Sequence, residues 1–375
     1  MPLIIKNRKI TRRVFAQQGS LVVAGSILAP LSVNATGTVP PERLAMYQEE
    51  SARGTVCRIC PNECTLKEGE VSDCHNRVVR KSKLYTMAYG NPCAVNVDPV
   101  EKKPLYHFLP GSAAFSIATA GCNFACLNCQ NWTISQTSPD KTKNFNLPPE
   151  EVVASAKANN CKSIAYTYSE PVTFYEYVYE TSKIARKEGI KNIMVSNGYI
   201  NPAPLKELCR YIDGANIDLK SFSDATYLKL NGGKLQPVLD ALKIYRDEGV
   251  WLEITNLIIP GYNDSPDEIR LMCKWLFSNG FADTPIHFTR FQPSYKLEHL
   301  PPTPLAILNT AAGIAREAGL RYVYVGNVPG SGTDDTVCPS CQQKVVERTG
   351  FRVILNKITS DGKCSCGTAI PGRWS

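Results

Sequence analysis

The stretch Gly121-Cys122-Asn-Phe-Ala-Cys126-Leu-Asn-Cys129 places three cysteines at x3 and x2 spacing, directly after a short apolar run at 115–119. Three thiolates at this spacing can hold three irons of a [4Fe–4S] cluster and leave the fourth iron open. A zinc site that lacks one ligand is the alternative, since structural zinc takes four. Because the loop follows the first strand of a strand–helix series, we predict a [4Fe–4S] cluster on Cys122, Cys126 and Cys129.

An open iron can bind the amino and carboxylate groups of the methionine part of S-adenosylmethionine (SAM). Electron transfer into the sulfonium then breaks a C–S bond and yields a 5′-deoxyadenosyl radical. The cofactor supplies this chemistry, while the protein positions it and excludes water. We therefore predict an enzyme whose radical abstracts hydrogen from a substrate that the motif does not identify, with the three cysteines as its catalytic residues.

Short apolar strands and amphipathic helices alternate between about 114 and 326. The predicted strands are 115–119, 163–168, 191–196, 214–219, 250–257, 285–290 and 321–325. The predicted helices are 149–159, 171–188, 202–211, 234–248, 265–279 and 302–318. This alternation is typical of parallel βαβ units. There are too few units for an eight-fold barrel, so we predict an α/β fold, a partial (β/α)6 TIM-like barrel at 111–330, with a doubly wound sheet as the alternative.

Polar side chains end several of these strands, at the edge where parallel barrels carry their active sites. Glu170 ends the second strand and could pair with the SAM ammonium, while Ser196 and Asn197 end the third and could bind a ribose. Further candidate cofactor-binding residues end the next strands: Asp218, Lys220, Asn256 and Arg290. Helix capping or salt bridging is the alternative for each.

The chain has 15 cysteines, and two further groups lie outside the triad. Disulfides would suit a small secreted scaffold better than a long chain with a large apolar core. The last group forms two close pairs and predicts a zinc-ribbon-like domain at 331–375: Cys338, Cys341, Cys364 and Cys366. The first group lies in a Cys-rich segment at 36–110 and fits either zinc or an auxiliary iron–sulfur cluster, with its polar flanks favouring zinc: Cys57, Cys60, Cys64 and Cys74. Several prolines after this group predict an extended wrap over 75–114.

Residues 1–35 have the pattern of an export signal. A basic stretch ends in Thr11-Arg12-Arg13-Val14-Phe15, an apolar run follows from Leu21 to Leu31, and Val33-Asn34-Ala35 offers a cleavage site. Paired arginines before such a run are typical of a twin-arginine (Tat) signal, and the run is short for a membrane span. We predict export to the periplasm or cell envelope, with a cytoplasmic basic tail as the alternative.

The net charge of +8 does not indicate a nucleic-acid-binding protein. Five of the basic residues lie in the first 40 residues, which contain no acidic residue. We find no basic stripe with interleaved aromatic residues, so we predict no nucleic-acid partner.

The cysteine triad resembles the radical SAM superfamily, and the surrounding motifs resemble a narrower group, the radical SAM member of the AmmeMemoRadiSam system. These enzymes have been described as similar to the pyruvate formate-lyase activating enzyme. The resemblance covers about residues 55–375 and rests on these motifs: Cys57-Arg-Ile-Cys60-Pro61-x2-Cys64, Asn96-Val-Asp98-Pro-x-Glu101-Lys102-Lys103-Pro-Leu-Tyr-His107-Phe-Leu-Pro-Gly111, Tyr166-Thr-Tyr-Ser-Glu170-Pro171, Tyr324-Val325-Gly326-Asn327, and the closing cysteine pairs with Pro371-Gly372-Arg-Trp374.

The resemblance implies SAM, one [4Fe–4S] cluster, a partial TIM barrel, and association with proteins of the Memo and AmmeMemo types. An electron donor such as flavodoxin or ferredoxin would reduce the cluster. The sequence departs from the superfamily where a Gly-Gly-Glu segment is replaced by Tyr-Ser-Glu170, and from a regular zinc ribbon where Cys364 and Cys366 are one residue apart. Export is a further departure, since SAM is made in the cytoplasm.

Three other functions stay open at this point. A glycyl-radical-enzyme activase would need a partner protein, and we favour modification of a small molecule or peptide over it. A non-catalytic multi-cluster electron-transfer protein would need no SAM pocket. A metal-binding interaction protein would hold zinc throughout.

Overall fold

The computed structural model of the protein describes residues 43–328, 330 and 332–375. The predicted export signal at 1–35 lies outside these residues. Among the described helices, none is both long and apolar enough to cross a membrane.

Two small antiparallel sheets form the first part of the described chain. Their strands are β1 (Arg43–Leu44), β2 (Gln48–Ser51), β3 (Gly54–Cys57), β4 (Thr65–Leu66), β5 (Arg77–Arg80) and β6 (Lys83–Thr86). One sheet has the order β1-β6-β5 and the other β2-β3-β4. Lys81 and Ser82 join β5 to β6, both at positive φ, which is the turn geometry that twisted hairpins favour. The extended wrap predicted over 75–114 is therefore wrong here, because the chain folds back as a hairpin.

A central sheet of eight strands follows. Its strands are β7 (Ala94–Pro99), β8 (Ala113–Ala118), β9 (Ser163–Tyr166), β10 (Lys191–Ser196), β11 (Gly214–Asp218), β12 (Trp251–Ile258), β13 (Ile286–Arg290) and β14 (Val323–Gly326). The order runs from β14 through β13 to β7, so strands that are neighbours in sequence pair with each other. β8–β14 are parallel, and β7 pairs antiparallel with β8 at the edge. The predicted α/β class is confirmed, while the barrel curvature stays a prediction.

One long helix lies in each connection between the parallel strands. The helices are α1 (Pro149–Ala158), α2 (Tyr175–Lys187), α3 (Pro202–Cys209), α4 (Leu235–Asp247), α5 (Pro266–Ser278) and α6 (Leu305–Glu317). α1, α3 and α5 begin with proline, whose fixed φ and missing N–H suit a first turn. Shorter helical turns are Val100–Lys102, Trp132–Ser135, Pro139–Lys141, Pro171–Phe174, Asp224–Thr226, Tyr227–Asn231 and Tyr295–Leu297. Because β8–β14 are parallel, their carboxyl ends meet at one edge of the sheet.

The C-terminal part is a three-stranded antiparallel sheet of β15 (Thr336–Val337), β16 (Lys344–Thr349) and β17 (Arg352–Asn356). The chain after it returns to the segment before β8, where Leu109 N donates to Arg373 O at 2.6 Å and Arg373 N donates to His107 O at 2.7 Å. The ring nitrogens of buried His107 lie 2.7 Å from Pro371 O and 2.6 Å from Tyr324 Oη. Since a carbonyl can only accept, Nδ1 donates to Pro371 and Nε2 accepts from the Tyr324 hydroxyl. The neutral imidazole therefore joins the C-terminal part to the central sheet.

Candidate active site

The predicted cluster loop leaves β8 at the carboxyl edge of the parallel sheet. Each of its three sulfurs has one polar neighbour: Phe124 N at 3.4 Å from Cys122 Sγ, Asn231 Nδ2 at 3.1 Å from Cys126 Sγ, and Ser135 Oγ at 3.1 Å from Cys129 Sγ. Burial raises the pKa of the Cys122 and Cys126 thiols, which disfavours the thiolates unless a cation is bound. The iron of a cluster supplies that positive charge, so this donor set fits the predicted [4Fe–4S] cluster.

A π-helical turn, Tyr227–Asn231, holds the loop from the side of β11. Besides the contact of the Asn231 side chain with Cys126, Ala125 N donates to Asn231 O and Leu127 N donates to Leu230 O, both at 2.9 Å. π-helical turns are rare and are often found at functional sites. Three hydrogen bonds thus fix the loop to a turn that lies about a hundred residues away in sequence.

Gly121 joins the loop to the end of β8 and faces the N-terminal cysteine group. Its φ is +96°, and a Cβ at this position would lie 2.4 Å from Cys74 O and 2.7 Å from Asn76 Nδ2. Both the backbone conformation and the close approach require glycine. Asn76 Nδ2 also donates to Ala120 O at 2.7 Å. The N-terminal segment therefore packs directly against the base of the cluster loop.

The predicted SAM-binding residues Glu170, Ser196 and Asn197 meet at one point. The Glu170 carboxylate accepts hydrogen bonds from Ser196 Oγ at 2.7 Å, Asn197 N at 2.8 Å and Val172 N at 3.1 Å. Burial raises the pKa of Glu170 to about 7 in spite of these bonds. Its charge also adds to the effect of burial in raising the pKa of Cys122, so the two side chains are close. Glu170 is thus a buried acid beside the loop that a cation would stabilise.

Tyr168 shows how the chain reaches this arrangement without the superfamily's glycines. It adopts a φ of +64°, a left-handed conformation that is unusual for a bulky residue. Its hydroxyl donates to Asp98, and Asn131 Nδ2 donates to its carbonyl at 2.8 Å. These contacts hold the strained backbone in place, so Tyr-Ser replaces Gly-Gly at the cost of local strain.

A cavity of about 260 Å³ opens beside the loop at the same edge of the sheet. Its walls are formed by Lys102, Pro104, Asn128, Gln130, Asp218, Lys220, Leu230, Asn231, Thr255, Leu257, Ile259, Thr289 and Asn327. Two buried oxygens on these residues, Asn128 Oδ1 and Asn231 Oδ1, have no hydrogen-bond partner among the described residues. An unpaired buried acceptor is unfavourable, so this pair indicates a ligand that donates hydrogen bonds. The ammonium, hydroxyl and amino groups of SAM are such donors.

Asp218 and Lys220, both predicted as cofactor-binding, lie on the cavity wall. Lys220 Nζ donates to Asp218 Oδ2 at 2.8 Å. Burial opposes the charge of Lys220, but Asp218 and Cys126 beside it raise the pKa of the lysine above its usual value. The cavity therefore carries a fixed positive charge next to the cluster loop.

The structure does not bring Asn256 and Arg290 to the lining of this cavity. Side chains alternate along a strand, and Thr255, Leu257 and Thr289 are the residues that face the cavity. Asn256 Nδ2 instead donates to Leu219 O at 2.7 Å, and Arg290 Nε donates to Thr303 O at 2.9 Å. Both contacts are those of residues that tie loops to strand ends.

Sequence reasoning did not single out several residues of the site. Lys102 and Asn327 line the cavity, and both lie within motifs that carried the family resemblance, so those motifs could have indicated them. Asn128 and Gln130 lie within or beside the cluster loop itself. Asn231 had no sequence signal, because a contact with Cys126 cannot be read from two positions 105 residues apart.

The C-terminal cysteines form a compact site, as predicted. The sulfurs of Cys338, Cys341, Cys364 and Cys366 all lie within 4.8 Å of one another. Among the described residues, this is the one group of three or more candidate ligands gathered closely enough for a single metal ion. The group could bind zinc or an auxiliary cluster.

The N-terminal cysteines also converge, but less tightly. Cys57 N donates to Cys64 O at 3.0 Å, which closes the loop that carries Cys60. Burial first, and then the thiols of Cys74, Cys57 and Cys64, raise the pKa of Cys60. Cys60 therefore lies near the other three cysteines, without the close sulfur contacts of the C-terminal group.

Known proteins resemble this chain over different lengths. It is 45% identical over 331 residues to the uncharacterized protein MJ0808 of Methanocaldococcus jannaschii, a match that covers 88% of this chain and 98% of that protein. It is 23% identical over 218 residues to the pyruvate formate-lyase 1-activating enzyme of Escherichia coli K12, covering 54% of this chain and 89% of that enzyme. A solved structure of a radical SAM methyltransferase from Sphaerobacter thermophilus matches with a TM-score of 0.46 and 16% identity, over 58% of this chain and 67% of the other.

A family model described as the radical SAM superfamily matches residues 116–276, which include the cluster loop, Glu170 and the Asp218–Lys220 pair. The predicted radical SAM domain is thus confirmed over these residues, and so is the similarity to the activating enzyme. The AmmeMemoRadiSam assignment stays a prediction. This chain carries a radical SAM superfamily domain over residues 116–276 and belongs to one family with the Methanocaldococcus protein.

Proposed function

We propose that this protein is a radical SAM enzyme whose cluster is held by Cys122, Cys126 and Cys129. The observation that carries the proposal is the loop itself: three half-buried cysteines, each with one polar neighbour at its sulfur, lie beside a cavity with unpaired acceptors. When bound, the cluster and SAM supply a 5′-deoxyadenosyl radical that abstracts hydrogen from the substrate.

The surrounding side chains hold and orient SAM in this proposal. Glu170 offers a carboxylate to the ammonium group, and Ser196 and Asn197 N keep that carboxylate in place. Lys220, positioned by Asp218, offers a positive charge to an anionic group. Asn128 and Asn231 offer the carbonyl oxygens that lack partners. The walls of the cavity exclude water from the reacting atoms.

The substrate is a small molecule or a peptide in this proposal. A glycyl-radical-enzyme activase is the second candidate, favoured by the similarity to the activating enzyme over 54% of the chain. Memo-type and AmmeMemo-type proteins are the proposed partners, and a flavodoxin or ferredoxin is the proposed reductant. Export by a Tat signal is part of the proposal for residues 1–35.

We propose zinc at the C-terminal cysteines. Four sulfurs about 2.3 Å from a tetrahedral zinc lie about 3.8 Å apart. Cys338 Sγ and Cys366 Sγ are 3.7 Å apart, and Cys341 Sγ and Cys364 Sγ are 3.6 Å apart. A cubane cluster binds each thiolate through a different iron and needs more widely spaced sulfurs.

Anaerobic reconstitution tests the proposed function. Loaded protein incubated with SAM and dithionite should produce 5′-deoxyadenosine, and Cys126→Ala should produce none while its zinc content stays unchanged. Cys93→Ala is the matched control, since this cysteine lies outside the three groups. A fully loaded wild-type protein that yields no 5′-deoxyadenosine would overturn the proposal.

A further inference from the structure

We infer that Cys57, Cys60, Cys64 and Cys74 bind a second [4Fe–4S] cluster, which passes electrons to the cluster on the Cys122 loop. The relay part of this inference rests on the proposed function, whereas the identity of the site does not. Zinc, which the flanking residues of the sequence favour, is the competing occupant.

The order of the cysteine ligands along the chain distinguishes an iron–sulfur cluster from zinc. Cys57, Cys60 and Cys64 lie within eight residues, and Cys74 follows alone after nine more. Three close cysteines followed by one distant cysteine is a ligand order that iron–sulfur proteins use, although the spacing here, C-x2-C-x3-C, differs from the C-x4-C-x2-C of plant-type ferredoxins. The C-terminal group has the other arrangement, two close pairs, which is typical of zinc ribbons. The chain therefore contains both types of ligand order, and the N-terminal one is of the iron–sulfur type.

The distances agree with the ligand order. The C-terminal sulfurs are in mutual contact, with pairs at 3.6 and 3.7 Å, as a single ion requires. Among the described residues, neither the N-terminal group nor the Cys122 loop brings its sulfurs that close together. The N-terminal group, like the Cys122 loop, thus lacks the close sulfur contacts of the C-terminal site.

Arg77 provides an independent observation. Its side chain is 1% exposed and lies near Cys57 and Cys74, and its Nη1 donates to Glu176 Oε1 at 2.6 Å. Its Nη2 is buried with no hydrogen-bond partner among the described residues, and the second carboxylate oxygen of its partner, Glu176 Oε2, is likewise unpaired. A donor left unpaired in this position is costly. The inorganic sulfides of a cluster would extend beyond the four thiolates and accept this bond, whereas a zinc ion adds no acceptor.

The position of the group fits an electron relay. Cys74 O lies against Gly121, and Gly121 is bonded to Cys122, so one residue separates a ligand of each site. Asn62 Nδ2 donates to Asn123 O at 3.0 Å, and Ile59 O accepts from Asn201 N at 2.9 Å. One side-chain hydrogen bond and the close approach of Cys74 O to Gly121 therefore join the two cysteine segments directly.

The proposed transfer moves one electron and no proton. The reduced N-terminal cluster loses one electron and the cluster of the Cys122 loop gains it. A one-electron protein donor of the flavodoxin or ferredoxin class then reduces the N-terminal cluster again.

Metal analysis of the reconstituted full-length wild type is the first test. A second cluster predicts about eight irons and about eight sulfides per chain, with about one zinc. Four irons with two zincs would overturn the inference. This measurement needs no variant and therefore does not depend on whether a variant folds.

Two variants assign the clusters. The triple variant Cys122→Ala, Cys126→Ala, Cys129→Ala should keep about four irons and an electron paramagnetic resonance (EPR) signal, after dithionite reduction, that SAM does not change. The double variant Cys60→Ala, Cys74→Ala should keep a signal that SAM changes. A triple variant without iron would overturn the inference. Cys161→Ala, outside all groups, is the control and should keep both signals.

Activity then tests the relay. With flavodoxin as the donor, SAM cleavage by the double variant should fall to background, whereas with dithionite it should persist. Equal loss of cleavage with both donors would overturn the relay. If the wild type holds about eight irons but SAM alters neither EPR signal, the proposed function fails and the second cluster stands.

Discussion

Asn231 Nδ2 lies 3.1 Å from Cys126 Sγ and donates a hydrogen bond to it across 105 residues of sequence. The contact comes from a π-helical turn that also accepts two backbone hydrogen bonds from the cluster loop. Hydrogen bonds to the sulfurs of a cluster are one of the means by which a protein sets its reduction potential.

Replacing Asn231 by alanine should therefore lower the reduction potential of the cluster on the Cys122 loop. A hydrogen bond of about 1 kcal/mol corresponds to roughly 40 mV for a one-electron couple. An EPR-monitored redox titration measures this shift. Asn279→Ala, at the end of α5, is the control and should leave the potential unchanged. An unchanged potential in Asn231→Ala would mean that the amide contributes nothing to the cluster.

Gly121→Ala should destabilise the protein far more than the same change at another glycine with positive φ. Gly189 has a φ of +75° and open space around its Cβ position, whereas a Cβ on Gly121 would overlap Cys74 O. Gly189→Ala should thus cost only the conformational term of about 1–2 kcal/mol. Urea unfolding of both variants separates the cost of the left-handed backbone conformation, which both share, from the cost of the overlap with Cys74 O, which only Gly121→Ala has. Equal losses of unfolding free energy in the two variants would argue against the close contact between Gly121 and Cys74.

Glu170→Gln should weaken SAM binding without unfolding the protein. The amide keeps the shape of the side chain but loses the charge that would pair with the SAM ammonium. Its NH2 group also cannot accept hydrogen bonds as the second carboxylate oxygen does, so we expect a stability loss of about 1–3 kcal/mol in addition. A charge-assisted hydrogen bond of about 1.5–3 kcal/mol predicts a loss of affinity of roughly 10- to 150-fold. Calorimetric titration of the cluster-loaded protein measures it. Glu248→Gln, an exposed acid after α4, should bind SAM like the wild type, and the same affinity in Glu170→Gln would exclude the ammonium contact.

His107 should make the stability of the protein depend on pH in the weakly acidic range. Burial lowers its pKa from the ordinary 6.5 to about 4, so between these values the unfolded chain binds more protons than the folded chain. The contribution of neutral His107 to the free energy of unfolding is complete above pH 6.5 and is lost as the pH falls toward 4. Between pH 7 and pH 5 the loss is about 2 kcal/mol.

Urea unfolding at pH 7 and pH 5 checks this expectation. His107→Gln should be less stable than the wild type at pH 7. The difference in free energy of unfolding between the two proteins should be smaller at pH 5. His299→Gln changes an exposed histidine and should keep the wild-type pH dependence. A constant gap between His107→Gln and the wild type would show that the imidazole is not held neutral.

Cys364→Ala should remove about one zinc per chain and leave the iron content unchanged. Cys338 and Cys364 are buried in one apolar cluster with Tyr322 and Tyr324, so loss of the metal should loosen the packing between the C-terminal sheet and β14. Hydrogen exchange should rise over 336–370 and stay low in β8–β12. Loss of iron together with zinc would mean that the sites are not independent.

The parallel part of the fold could be predicted from the sequence because each of its elements carries its own signal. β8–β14 are short apolar runs and α1–α6 have apolar stripes, and both patterns are local. β7 could not be predicted in this way. It is a mostly exposed edge strand between prolines, and only its pairing with β8 makes it a strand.

The candidate site was predictable to a similar extent. Cys122, Glu170 and Asp218 lie at strand ends, where the fold rule places functional residues. The same rule could not tell that Asn256 and Arg290 turn away from the cavity, because an error of one residue in a strand reverses the side of the sheet. Contacts such as that of His107 with Tyr324 depend on pairs far apart in sequence and have no local pattern.

The close fit of Gly121 against Cys74 sets a limit on how this chain can be divided. A shortened protein that starts near residue 111 would retain every strand and helix of the parallel sheet, yet it would expose the base of the cluster loop to solvent. Oxygen and water would then reach iron from a side that the full chain closes. The unit that would shield a cluster on this loop therefore begins well before the first parallel strand, at the segment that carries Cys57 and Cys74.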